Sequence, residues 1–131
     1  VTGKFTSQGG WSLLELMIAM FIIIILISVA VPTYERSVRY AKETVLKENL
    51  WQMRKAIDQY TADKGKLPGS VDDLVSARYL REKPIDPILE RAEWNEIQGE
   101  DPNNSDGQMG LTDVKSLADG TDSSGVAYSD Y

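Results

Sequence analysis

The chain has 131 residues, 14 of them basic and 20 acidic, for a formal net charge of −6, and it contains neither Cys nor His. That length suits one small domain, and the missing residue types exclude disulfides, thiolate chemistry, a histidine general base and any Ser-His triad. Residues 35–85 hold 11 basic and 8 acidic side chains (+3) and residues 86–131 hold 2 and 11 (−9), a division that disfavours nucleic acid as a partner and suits a hard cation.

The first element is an apolar run, Trp11–Val31, in which Glu15 is the one charge. At about 1.5 Å per residue, a helix of that length spans about 30 Å, the thickness of a bilayer core. Two ordinary readings fit the composition. One is a cleavable signal peptide, with Lys4 before the run, Leu16–Ile27 as its apolar centre and Ser28-Val29-Ala30 as a small-x-small cleavage site. The other is a plain single-span anchor. Glu15 suits neither. A carboxylate at mid-membrane costs on the order of 2.5–3.5 kcal/mol, less toward the interface, and calls for a cationic partner. No Lys or Arg lies between Lys4 and Arg36. A cut after Gly10 creates such a cation, because Trp11 then carries a new α-amino group four residues before Glu15. In a stack of such helices the Glu15 of one copy can meet the amine of the next, and the charge becomes an assembly device.

Beyond Pro32 the pattern predicts an amphipathic helix over residues 33–62, so that one helix runs from about Ser12 to Asp63. Its apolar stripe is Val38, Ala41, Val45, Asn49, Met53, Ala56 and Tyr60, widened by Leu46, Leu50 and Ile57. Gly65 signals the end and Pro68 follows. Ser70 and Asp73 form a capping box for a short helix over 71–78, buried through Val71, Leu74, Val75 and Leu80. Pro84 and Pro87 force extended chain. Ala92–Ile97 and Leu111–Leu117 are the strand candidates, with loops over Asp101–Gly107 and Asp119–Gly125. The predicted fold class is α+β, a long N-terminal helix packed on a small antiparallel β-sheet, with Trp94 and Tyr128 as core aromatics. The stretch "DPNNSDG" at 101–107 approaches an EF-hand loop, but its Gly is one place late and the final Glu is missing, so it reads as a turn. Without His and Cys, catalysis would need a carboxylate pair, a Lys or a Ser-Lys dyad. No compact constellation presents one, and the chain reads as a non-enzyme.

Gly10-Trp11-Ser12-Leu13-Leu14-Glu15-Leu16-Met17 resembles the class III signal of type IV pilin-like proteins. The resemblance implies that residues 1–10 are a leader removed by prepilin peptidase between Gly10 and Trp11. It also implies that Trp11, standing where Phe is usual, is N-methylated, and that Glu15 serves filament assembly. Pro32 falls where the family has a helix Pro. Leu67-Pro68, Asp73-Leu74, Tyr79-Leu80-Arg81 and Pro84-x-Asp86-Pro87 are similar to the run after the long helix in major pseudopilins, with Leu89-Glu90 where Thr-Gly is common. Asp113-Val114-x-Ser116, Asp119, Gly125, Tyr128 and Asp130-Tyr131 look like a pseudopilin C-terminal region, with Tyr131 in place of the usual Trp. By the same resemblance "SLADGTDSSG" at 116–125 is a Ca²⁺ loop, with Asp119 and Asp122 as ligands beside backbone carbonyls.

The organisation implied is a leader (1–10), a transmembrane assembly helix (11–32) and a periplasmic pilin-like domain (33–131), in a single-pass protein of the bacterial inner membrane. The function implied is a structural subunit of a periplasmic pseudopilus that drives protein secretion through a type II secretion system. The alternative is a type IV pilin of an external fibre for adhesion, motility or DNA uptake. The absence of Cys, the short length and the 67–87 run favour the pseudopilin. Implied partners are further copies in a homopolymeric filament, minor pseudopilins, the inner-membrane assembly platform and prepilin peptidase, with no nucleic acid. Charge counting disagrees on orientation, since Arg36, Arg39 and Lys42 outweigh Lys4 and would place the C-terminal part inside. The resemblance implies the opposite. A third reading, a lone membrane-tethered Ca²⁺ sensor, has no need of Glu15.

Overall fold

Leu13–Lys64 forms one 52-residue helix, α1, with Pro32 inside it, in a computed structural model that describes Gly3, Gly10 and residues 12–131. The chain divides into two compact units, residues 1–38 and residues 39–131. In the first unit none of the apolar side chains from Leu13 to Val31 is buried. A helix that is apolar all round and has no protein cover matches lipid rather than water, and α1 is long and apolar enough to cross a membrane. The hydroxyls on it are satisfied locally. Ser28 Oγ donates to Ile25 O at 2.6 Å, Thr33 Oγ1 to Val29 O at 2.9 Å and Ser37 Oγ to Thr33 O at 3.0 Å, so each hydroxyl is paired within the helix. The small-x-small sequence Ser28-Val29-Ala30 lies in the interior of this helix.

The second unit is built on the remainder of α1. Glu43, Leu46, Leu50, Met53, Ala56 and Ile57 are its buried residues, a stripe at three- and four-residue spacing. The stripe is narrower than the sequence pattern suggests. Val45 is 48% exposed and Ala41 is also exposed, because they stand to one side of the Leu46–Leu50–Met53 line that the rest of the unit covers. Gly65 ends the helix at φ 69°, the left-handed conformation that glycine adopts without steric cost.

Helix α2, Val71–Ser76, follows, and its N-cap is the predicted Ser70, whose Oγ accepts from Asp73 N at 3.3 Å. The Asp73 carboxylate reaches back to Gly69 N at 3.0 Å, so the box closes one residue earlier than the usual pattern. Val71 and Leu74 are its buried residues. Two antiparallel strands complete the unit, β1 (Asn95–Glu100) and β2 (Met109–Lys115), paired from Asn95↔Lys115 to Glu100↔Met109 with a bulge at Ile97/Gln98. β1 starts three residues later than Ala92. The cause is upstream: Trp94 Nε1 donates to Pro84 O at 2.8 Å and Asp86 bridges to Arg91, so residues 91–94 are held by the proline loop and enter no ladder until Asn95. The architecture is α+β, a long N-terminal helix packed on a small two-stranded sheet. Leu46, Leu50, Met53, Val71, Leu74, Trp94, Leu111, Val114 and Tyr128 share its core.

Two backbone details position the later parts. Leu111 N donates to Pro68 O at 2.7 Å, bringing the 67–68 segment onto β2. Gly110 makes that approach possible, since a Cβ there would lie 2.5 Å from Leu67 Cβ. In the proline loop Glu90 has φ 57°, an αL conformation that costs a non-glycine residue roughly 1–2 kcal/mol. It is held there by Asp86, whose backbone O accepts from Glu90 N at 2.7 Å.

Candidate functional site

The N-terminal candidate begins at the helix start. Ser12 Oγ accepts from Glu15 N at 3.1 Å, so Ser12 caps α1 and Glu15 stands three residues later, in the first turn. The S-x-x-E spacing was there to be read as a capping signal. Glu15 thus has a local role beside any assembly role: a carboxylate in the first turn faces the positive end of the helix dipole, which is worth about 0.3–1 kcal/mol. The side chain is exposed and has no ion-pair partner among the described residues. Gly10 is exposed, and a Cβ there would meet nothing within 4 Å among the described residues. Trp11, named with Gly10 as the processing junction, lies outside the described residues.

The C-terminal candidate is the 116–125 loop, and the structure gives its two aspartates different positions. Asp119 is exposed and its carboxylate has no partner among the described residues. Asp122 is buried. Its Oδ1 accepts from Ser124 N at 2.8 Å and Val126 N at 2.9 Å, and its Oδ2 accepts from the Tyr131 hydroxyl at 2.6 Å. The Tyr131 bond, helped by the two backbone N–H groups, holds the Asp122 carboxyl below its ordinary value. Burial and the same bond push Tyr131 up. Asp122 is therefore the cap of its own turn, with most of its lone-pair positions occupied. Among the described residues no three His, Cys, Asp or Glu side chains are grouped to hold a metal ion.

Around this loop lies a polar network that sequence reasoning missed. Glu43, on the buried face of α1, accepts from the Tyr128 hydroxyl at 3.1 Å and from Ser123 Oγ at 3.5 Å. Burial first, and then Glu43, raises Tyr128. Lys47 Nζ stands 4.9 Å over the Tyr131 ring. Arg54 donates to Asp113 Oδ1 at 2.8 Å, to Val114 O at 3.0 Å and to Tyr131 O at 2.7 Å. The one available signal was a charged residue, Glu43, set three before Leu46 on an apolar face.

Two more buried aspartates cap loops in the same way. Asp86 accepts from Ile88 N, Leu89 N and Ser116 Oγ, at 2.8, 3.3 and 2.5 Å. Asp101 accepts from Asn103 N at 2.9 Å and Leu67 N at 3.1 Å, which makes "DPNNSDG" a capped turn closing the β1–β2 hairpin. No protein-family model, curated protein or solved structure matches the chain.

Proposed function

We propose that the chain is a structural subunit of a membrane-anchored filament of the pseudopilus kind, driving protein secretion through a type II secretion system, with a type IV pilin of an external fibre as the second reading. The observation that carries this is Glu15, a carboxylate at the head of an uncovered apolar helix with no cation beside it among the described residues. The helix dipole offsets about 0.3–1 kcal/mol of its burial in lipid, part of a cost that reaches on the order of 2.5–3.5 kcal/mol for a carboxylate at mid-membrane and is less toward the interface. A second copy, contributing the amine of a processed Trp11, meets the remaining demand. The second unit then faces the periplasm, and the inner membrane of a bacterium holds the apolar half. The two fibre readings part at the neighbouring genes, where a retraction ATPase favours the external fibre.

Intact-mass analysis of the protein extracted from membranes tests the reading. The expected mass is that of a chain beginning at Trp11 and carrying one added methyl group. Cleavage after Ala30 would make the chain an ordinary exported protein and remove the filament.

Calcium belongs to this reading through Asp119, which is free to ligate, together with loop carbonyls, while Asp122 serves first as the turn's cap. A ligand that binds only the folded form stabilises by about 2.7 kcal/mol at a hundredfold excess over Kd, roughly 10 °C or more in a domain this small. The expected result is a higher Tm with Ca²⁺ than with chelator in the unaltered chain, and no difference in Asp119→Ala. Equal melting of the unaltered chain under both conditions takes the ion out of the reading.

A further inference from the structure

The second unit carries a hollow and a projecting tip of complementary make-up. The hollow runs between α1 and residues 79–85, as two adjoining depressions that share Gln52, Leu80 and Arg81. Trp51 and Ile85 line it and are 54% and 60% exposed. Lys55 and Arg81 supply two cations and Glu82 one anion, all three exposed and none ion-paired among the described residues. Lys55 Nζ lies 4.9 Å over the Trp51 ring. The tip is the turn of the β1–β2 hairpin. On its last rung Glu100 faces Met109, which is 62% exposed. Glu100 and Asp106 are exposed anions without an ion-pair partner among the described residues. One surface therefore offers apolar side chains with a net positive charge, Lys55 and Arg81 against Glu82, and the other an apolar side chain with two unmet negative charges.

The two surfaces cannot meet within one chain. Gln52, Lys55 and Gln59 line the hollow, whereas Ile57, Asp58 and Thr61 line the depression next to Pro102 and Asn103 of the hairpin turn. At 3.6 residues per turn these sets lie on different flanks of α1. The uneven charge of the chain, +3 over residues 35–85 and −9 over residues 86–131, has the same sense.

We propose that the hollow between α1 and residues 79–85 receives the β1–β2 hairpin tip of a second copy of this chain. The proposal rests on the filament reading and gives it a specific contact outside the membrane. Unlike patches that join in this way make a heterologous interface, which passes from copy to copy instead of closing a two-fold dimer. Met109 seats against Trp51 and Ile85, and Glu100 and Asp106 answer Lys55 and Arg81.

The test uses the full chain in membranes, with multimers captured by chemical cross-linking. Reversing the hollow (Lys55→Glu with Arg81→Glu) or the tip (Glu100→Lys with Asp106→Lys) is expected to lower multimer yield about fivefold or more, since like charges then face each other. Combining all four is expected to restore it. Multimers that are unchanged in both reversed forms, or not restored in the combination, overturn the contact. If they are lost in Glu15→Ala all the same, the filament reading stands without it. No multimers from the unaltered chain overturns both. Should a reversed form fail to fold, cysteines decide, because the chain has none of its own. Oxidation of Gln52→Cys with Ser105→Cys is expected to give a ladder of multimers. Dimers alone, or no cross-link, overturn the proposal.

Discussion

Glu15→Ala is expected to leave the chain in the membrane at an unchanged or higher level while cutting filament yield by more than about a hundredfold. Insertion becomes easier, since the substitution removes the one charged side chain in the apolar run, which lipid penalises by on the order of 2.5–3.5 kcal/mol at mid-membrane and less toward the interface. Assembly loses the opposite term. Breaking one partner of a desolvated ion pair costs about 3–5 kcal/mol, and every added subunit would pay it at its own junction. The capping role provides the control. Ser12 Oγ holds Glu15 N at the start of α1, and removing such a cap typically costs about 1 kcal/mol of helix stability. Ser12→Ala should therefore weaken the first turn and leave filaments near their normal yield. Equal loss in Ser12→Ala and Glu15→Ala would reduce Glu15 to a local helix device. Normal secretion from the Glu15→Ala strain would end the assembly role outright. Both are read from pulse-labelled membranes and sheared filament fractions.

Asp86→Ala is expected to be among the most damaging single changes in the second unit. The Asp86 side chain is fully buried and gathers three donors: Ile88 N and Leu89 N in its own loop, and Ser116 Oγ thirty residues along the chain. Truncation leaves those groups without a partner in a place water does not reach, a penalty of about 1–3 kcal/mol for each unsatisfied group. A total near 3 kcal/mol is about 15 °C in Tm for a unit of this size. Asp86→Asn, which keeps an acceptor oxygen and the same shape, should recover a large part of that loss. Thermal melting followed by far-UV circular dichroism reads all three forms. If Asp86→Ala melts within about 3 °C of the unaltered chain, the loop is held by its prolines alone.

The residues that could be read correctly in the sequence are those whose partners are close in the chain. Gly65 and Ser70 fall where they were expected because a helix end is decided by its nearest few residues. The long helix was legible from its apolar run and its periodic continuation. What escaped was set by partners far away. β1 begins at Asn95 because the preceding residues are bound to Pro84 and Asp86, and propensity carries no trace of that. Glu90 occupies a left-handed position that a glycine would have announced. Neither Leu89 nor Glu90 carries a local signal for that conformation, which the backbone of the proline loop imposes. Asp122 carried a signal that pointed two ways. An Asp/Ser/Gly loop reads equally as metal-binding or as self-capped, and only the Tyr131 hydroxyl at 2.6 Å shows how much of the carboxylate the fold already uses.

The bonds from α1 to the far end of the chain also bear on the order in which the protein takes shape. Arg54 reaches Asp113 and Tyr131 across 59 and 77 residues, and Glu43 reaches Tyr128 across 85. A helical turn forms within about a microsecond, but contacts this distant in sequence must first close long loops and so come late. The helix is therefore expected to form before its Leu46–Ile57 stripe is fully covered, and Leu111, Val114 and Tyr128 complete that cover when the C-terminal segment arrives. A nascent chain halted before residue 111 lacks Leu111, Val114, Ala118 and Tyr128 from its core, so delivery of that segment is expected to set the moment at which the unit gains resistance to proteases.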